Sequence, residues 1–171
     1  MKRHLLALLV LIPSTLLFGQ QRSSNTWVKF TSEPGRFSAL LPVEPTQQTE
    51  TTPSDHGDYT THMFVAKSGS KIYIVAWVDY DPSFQFRPNN ELDANRDNFI
   101  RGLKATLVSS HNLTLKGYQA LEFTAETTEA SFKSRVFIVG RRPYQLVVRT
   151  DKGVEDKENT TRFFESFTVK P

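Results

Sequence analysis

At positions 71–79 the chain carries apolar side chains at both parities. Ile72, Ile74, Ala76 and Val78 fall on one side of an extended strand, and Tyr73, Val75 and Trp77 on the other. Side chains alternate across a strand, so a segment apolar on both sides belongs in the middle of a sheet, with cover above and below. The rest of the fold has to supply that cover.

The neighbouring segments supply more strands. Residues 27–31 and 36–41 form an opening hairpin around Ser32-Glu33-Pro34-Gly35, where Pro sets one dihedral and Gly permits the reversal. Pro42 and Pro45 end it, because neither can donate a ladder hydrogen bond. Residues 59–66 pair with 71–79 through Lys67-Ser68-Gly69-Ser70. The stretch 46–57, rich in Thr, Gln, Ser and Asp, reads as a flexible loop. Residues 79–90 read as a second loop, holding Tyr80, Phe84 and Phe86 between Pro82 and Pro88.

Helical spacing then predicts one long amphipathic helix over 91–106, capped by Asn89 or Asn90 and acidic in its first turn at Glu91 and Asp93. Its apolar side is Leu92, Phe99, Leu103 and, a turn on, Leu107. Residues 108–116, 118–126, 131–139 and 144–150 follow as strands whose short connections favour an antiparallel meander. A final helix from about 154 to 165 buries Phe163, Phe164 and Phe167. The fold class is α+β: a central antiparallel sheet flanked by helices, as an α/β/α sandwich, in a single domain spanning 27–171.

The first twenty residues are an address rather than part of that domain. Lys2, Arg3 and His4 precede an apolar run from Leu5 to Phe18, and polar sequence begins at Gln20 behind the small Gly19. This is the pattern of a secretory signal spanning 1–20, cleaved near Gly19 or Gln20, with 21–26 as a polar leader. The run of about 14 residues, interrupted by Pro13, is shorter than the roughly 20 needed to cross a bilayer, which disfavours its retention as an anchor. The expected location is periplasmic or secreted. The chain contains no cysteine, so it has neither disulfides nor a lipid-modified cysteine, which suits a bacterial envelope. Loss of Lys2 and Arg3 with the signal takes the formal charge from +3 to +1, and the remaining basic residues are scattered. Nucleic acid is therefore not an expected partner.

Candidate sites are few. His56, Asp58 and His62 share a parity and on one straight strand would form a weak two-histidine, one-carboxylate metal site, although Gly57 interrupts it. Asp79 and Asp81 flank Tyr80 and are the paired carboxylates on which a metal-dependent or acid–base hydrolase would depend. No nucleophile elbow, phosphate loop, dinucleotide fingerprint or His-Glu-x-x-His occurs. For recognition, Phe84, Phe86 and Arg87 form an aromatic and basic loop, and Arg141 with Arg142 forms a basic turn before Pro143 and Tyr144. The phenylalanines mark a partner surface if the loop stands clear of the sheet, and complete the core if it does not. A carrier of a small apolar ligand between sheet and helix is a further possibility, which a cavity there would signal.

The order of motifs resembles a known group. Trp27-x-x-Phe30-x-Ser32-x-x-Gly35-x-Phe37-Ser38, Pro42-x-x-Pro45, one mid-chain helix, Gly140-x-x-x-Tyr144-Gln145-Leu146 and Arg162-Phe163-Phe164-x-Ser166-Phe167 are together similar to PsbP-like proteins. That group includes the extrinsic subunit of the oxygen-evolving complex, the Ran-binding Mog protein and many small exported bacterial proteins. The resemblance implies an antiparallel sheet sandwiched by helices, and binding or assembly rather than catalysis, with no cofactor. The short stretch before Trp27 argues against a photosystem role, and no functional residue is carried over. The expectation is an exported, non-enzymatic domain that binds a protein partner through surface loops.

Overall fold

The structure is a computed structural model that describes residues 26–54, 57–84 and 86–170. The predicted signal, the polar leader up to residue 25, and His56 lie outside the described residues. In chain order the elements are β1 (Val28–Ser32), β2 (Phe37–Leu41), β3 (Thr46–Thr52), β4 (Tyr59–Ser68), β5 (Lys71–Tyr80), α1 (Pro88–Leu103), β6 (Thr106–Leu115), β7 (Tyr118–Glu126), β8 (Ala130–Val139), β9 (Arg142–Asp151), α2 (Lys157–Ser166) and β10 (Thr168–Val169). They build a seven-stranded sheet in the order β3-β4-β5-β9-β8-β7-β6 and a three-stranded sheet in the order β1-β2-β10. All the pairings are antiparallel.

The strand with two apolar sides is internal, with β5 between β4 and β9. Its two sides meet different covers. Tyr73, Val75 and Trp77 are fully buried in the larger core, together with Phe37, Ala39 and Leu41 of β2, Phe64 of β4, Tyr144 and Leu146 of β9, and Phe163 and Phe164 of α2. On the opposite side α1 packs over β7 and β8, where Leu92 joins Leu121, Phe123, Val136 and Ile138 in a second, smaller core. Ile72, Ile74, Ala76 and Val78, which α1 does not cover closely, are only half-buried. The antiparallel sheet and the two helices agree with expectation. The layering differs, because the cover of the larger core is a small sheet combined with α2 rather than helices alone.

Several boundaries move for local reasons. Residues 46–52, read as loop, form the edge strand β3, paired residue for residue with β4 from Thr46 opposite Val65 to Thr52 opposite Tyr59. Its threonines are β-branched and suit a strand, and Thr51 and Thr60 bridge the pair through their hydroxyls at 2.9 Å. An edge open to water on both faces needs no apolar alternation, so the sequence pattern concealed it. Helix α1 begins three residues earlier than predicted, with Pro88 in its first turn behind an extended Arg87. Proline there presets the helical dihedral and has no N–H to leave unpaired. The helix stops at Lys104, whose left-handed φ of 51° lets its N–H bond back to Ile100 and Arg101. Helix α2 begins at Lys157 rather than near residue 154, because the Asp156 side chain accepts from the Asn159 N–H as its cap. Strand β10, absent from the sequence reading, adds Thr168 opposite Ser38 and Val169 opposite Phe37.

The β1–β2 turn lies directly on the larger core. A Cβ on Gly35 would stand 2.6 Å from the Phe37 ring and 2.8 Å from Ser32 Oγ, so only glycine fits. The Gly35 carbonyl in turn accepts the buried Tyr144 hydroxyl at 2.9 Å, tying the small sheet to the large one.

Candidate functional site: the loop after β5, the β8–β9 turn and the cleft beneath α1

Strand β5 ends at Tyr80, and the chain turns immediately at Asp81-Pro82-Ser83. The Asp81 carboxylate accepts from the Ser83 amide at 2.9 Å and the Ser83 hydroxyl at 2.5 Å. These bonds, the hydroxyl's foremost, hold the Asp81 carboxyl below its usual range and fix the turn. The chain then folds Phe84 onto Tyr80, with the rings stacked 4.2 Å apart, and Phe86 against the same ring at 5.4 Å. Both phenylalanines are half-buried, and Phe86 packs on the smaller core, whereas Arg87 is exposed. The loop is folded back on Tyr80 with both rings half-covered, so it neither stands clear of the sheet nor completes the core, and each ring keeps an accessible part.

The two recognition candidates meet here. Val139 pairs with Arg142, leaving Gly140 and Arg141 as a two-residue hairpin turn in which Gly140 takes a φ of +63°. That turn projects Arg141 across to the loop, where it donates to the carbonyls of Phe84 at 2.9 Å and Asp81 at 3.4 Å. Its guanidinium lies 5.8 Å from the centre of the Phe86 ring. Residues nearly sixty positions apart thus form one surface.

Arg142 has a different role. Its Nε and Nη2 clasp Asp79 Oδ1 at 2.7 and 2.6 Å, and its Nη1 donates to the Pro34 carbonyl at 2.9 Å. The other Asp79 oxygen receives the Trp77 indole N–H at 3.2 Å and faces His62 Nε2 at 3.3 Å. The His62 ring stacks on Trp77 at 4.5 Å, and its Nδ1 meets Thr49 Oγ1 at 3.3 Å. Asp79 is thus engaged with Arg142, His62 and Trp77, and Asp81 with Ser83. Of the predicted metal set, His62 contacts Asp79 rather than Asp58, which is exposed and whose carbonyl accepts the Asp81 N–H at 2.9 Å. Among the described residues, no three His, Cys, Asp or Glu side chains are grouped as a metal would require.

Between α1 and the strands β4, β5 and β9 lies an open cleft of about 390 Å³. Tyr59, Tyr80 and Phe84 form its aromatic wall, and Glu91, Asn98 and Gln145 are among its polar groups. The Tyr80 hydroxyl donates to Glu91 at 2.9 Å. Burial first, and then the neighbouring carboxylate, push that hydroxyl well above its ordinary range. Tyr80, read in the sequence as part of the loop, is the last residue of β5 and falls on the same side as Ile74 and Val78. Nothing in the sequence, however, placed Tyr59, Asn98 or Gln145 beside it.

No family model matches the chain, and no curated protein is significantly similar to it. Among solved structures, the chain is similar to the solution structure of cyanobacterial PsbP (CyanoP) from Synechocystis, with a TM-score of 0.55 at 11% identity. That match covers 85% of this chain and 94% of the other. A crystal structure from Bacteroides thetaiotaomicron matches with a TM-score of 0.37 at 14% identity, over 84% of this chain and 48% of the other. The cyanobacterial likeness establishes the fold, which is PsbP-like. Identity this low carries no residue roles with it. No helix among the described residues is long and apolar enough to cross a membrane.

Proposed function

We propose that the protein is an exported, non-enzymatic binding domain that recognises a protein partner with the end of the sheet where the 81–87 loop meets the β8–β9 turn. The observation that carries this reading is Arg141 fastening the loop through the carbonyls of Phe84 and Asp81. A tethered loop with half-exposed rings and exposed Arg87 and Arg141 is pre-organised, so little ordering entropy opposes docking. Aromatic and arginine side chains are the types that anchor protein interfaces. The engagement of both Asp79 and Asp81 by neighbouring groups supports binding over acid–base catalysis. Export rests on the basic and apolar leader at 1–20.

The test uses the full chain as bait in envelope extract. Reversing charge at Arg87 and Arg141 together should abolish capture of the partner and leave the melting temperature within about 5 °C, as surface changes do. Phe84→Ser with Phe86→Ser should abolish capture as well. Undiminished capture by both variants would refute the assignment, and unfolding of the phenylalanine pair alone would show those rings to be structural.

A further inference from the structure

We infer that the cleft beneath α1 binds a small organic cation, an amine or a quaternary ammonium compound, held by the rings of Tyr59, Tyr80 and Phe84 and by the carboxylate of Glu91. Glu91 lines the cleft, and no Lys, Arg or His does. An anionic ligand would meet uncompensated repulsion there, whereas a cation is attracted by a carboxylate against a partly apolar wall, where water screens it less than in bulk.

The aromatic wall adds a second attraction for a cation. Tyr80 is braced by Phe84, stacked at 4.2 Å, and by Tyr59, tilted 53° to it at 6.2 Å. Phe99 lines the same cleft from α1. Ring faces carry negative quadrupole potential, and several rings around one cavity are the arrangement that holds ammonium groups by cation–π attraction. The ring cluster and the carboxylate are joined by the bond from the Tyr80 hydroxyl to Glu91 at 2.9 Å. The raised Tyr80 hydroxyl agrees with a dry wall that has negative charge beside it. The volume, about 390 Å³, falls within the roughly 300–1,000 Å³ of small-molecule sites.

The floor explains why the cleft stays open. It is made by Ala76 and Val78 of β5 and by Gln145 of β9, on the sheet side that α1 leaves partly bare. Ala76 and, on the helix, Ala94 are too small to fill the gap between sheet and helix. Phe84 belongs both to this cleft and to the partner surface proposed above, whereas Tyr59 and Glu91 belong to the cleft alone, so variants at those two separate the readings.

Choline and putrescine are titrated into the protein by calorimetry and by amide NMR, alongside dimethylbutanol, the uncharged carbon isostere of choline. At least one of the two cations should bind saturably, with shifts centred on Tyr59, Tyr80 and Asn98. Dimethylbutanol should bind about tenfold more weakly or not at all. Glu91→Gln, which preserves an acceptor for the Tyr80 hydroxyl, should weaken the cation about tenfold without lowering the melting temperature, and Tyr59→Leu should do the same. Failure of both cations to saturate, equal binding of the isostere, or unchanged affinity in Glu91→Gln would each overturn the assignment.

Discussion

The two faces of the seven-stranded sheet are built differently. One carries an interlocked set of rings: Phe37 stands 5.8 Å from Trp77, 6.0 Å from Phe64 and 5.3 Å from Phe167, and Phe137 stacks on Tyr144 at 5.6 Å. The other is closed by α1 only over β7 and β8, and leaves a cleft and half-buried aliphatic side chains over β4 and β5. Rings packed against rings lose many favourable contacts when one is removed, whereas a half-covered aliphatic row loses few. Stability is therefore concentrated on the first face, and surface available for recognition on the second.

The sharpest way to break this contrast is to shorten one side chain on each face. Phe37→Ala should cost about 3–5 kcal/mol, the range for emptying a buried phenylalanine site, measured by urea unfolding. Ile74→Ala, on the half-covered face, should cost about 1–2 kcal/mol, well below a fully buried truncation. Equal losses would show that both faces are core in the same sense.

A second, smaller effect concerns the charged patch within the stable face. Glu122 is only 8% exposed and accepts from Arg135 Nε at 2.6 Å, with Lys133 at 3.1 Å; Arg135 also reaches Glu165 at 2.8 Å. Arg135→Met leaves the buried carboxylate with Lys133 and the more distant His111 beside it and should cost about 3 kcal/mol, most of it regained in the double variant with Glu122→Gln. Burial acts to raise the Glu122 carboxyl, but Arg135 and Lys133 outweigh it and hold it below its ordinary range. Its folded pKa is thus depressed. The stability it contributes is complete above the unfolded value of about 4.3 and is lost as pH falls through the lower folded value. Urea midpoints should decline below about pH 4, and Glu122→Gln should flatten that decline.

The smallest effect sharpens the picture of the recognition end. Arg141→Ala removes the two bonds to the loop carbonyls and the contact with Phe86. Because these groups are exposed, global stability should fall by only about 0.5–1 kcal/mol, while hydrogen exchange across the 81–87 amides accelerates. Unchanged exchange there would mean that the stack on Tyr80, rather than Arg141, sets the shape of the loop.

Much of the architecture was legible because it is written in local periodicities. The two-sided strand β5, the meander β6 to β9 and both helices follow from spacing that neighbouring residues impose on one another. Strand β3 was not legible, because an edge solvated on both faces carries no apolar signal. The short strand β10 was missed for another reason: its two residues pair with β2 from the far end of the chain. The candidate residues show the same division. Phe84, Phe86, Arg87 and Arg141 were identifiable by type, but their union depends on a contact spanning 57 positions. Arg142 was grouped with Arg141 as adjacent in sequence, yet Arg141 lies in the turn whereas Arg142 opens β9, and Arg142 serves Asp79 instead.

The sequence by itself determined which segments extend, which coil and which side chains must leave water, since these follow from dihedral preference and solvation of residues near one another in the chain. Only the tertiary structure decided that α1 would cover half a sheet face and leave a cleft over the other half. It also decided that Glu91 would stand beside Tyr80, and that a basic turn would hold an aromatic loop. Those outcomes depend on how strands distant in the chain are ordered across the sheet, and strand order is fixed by the packing of the whole domain at once.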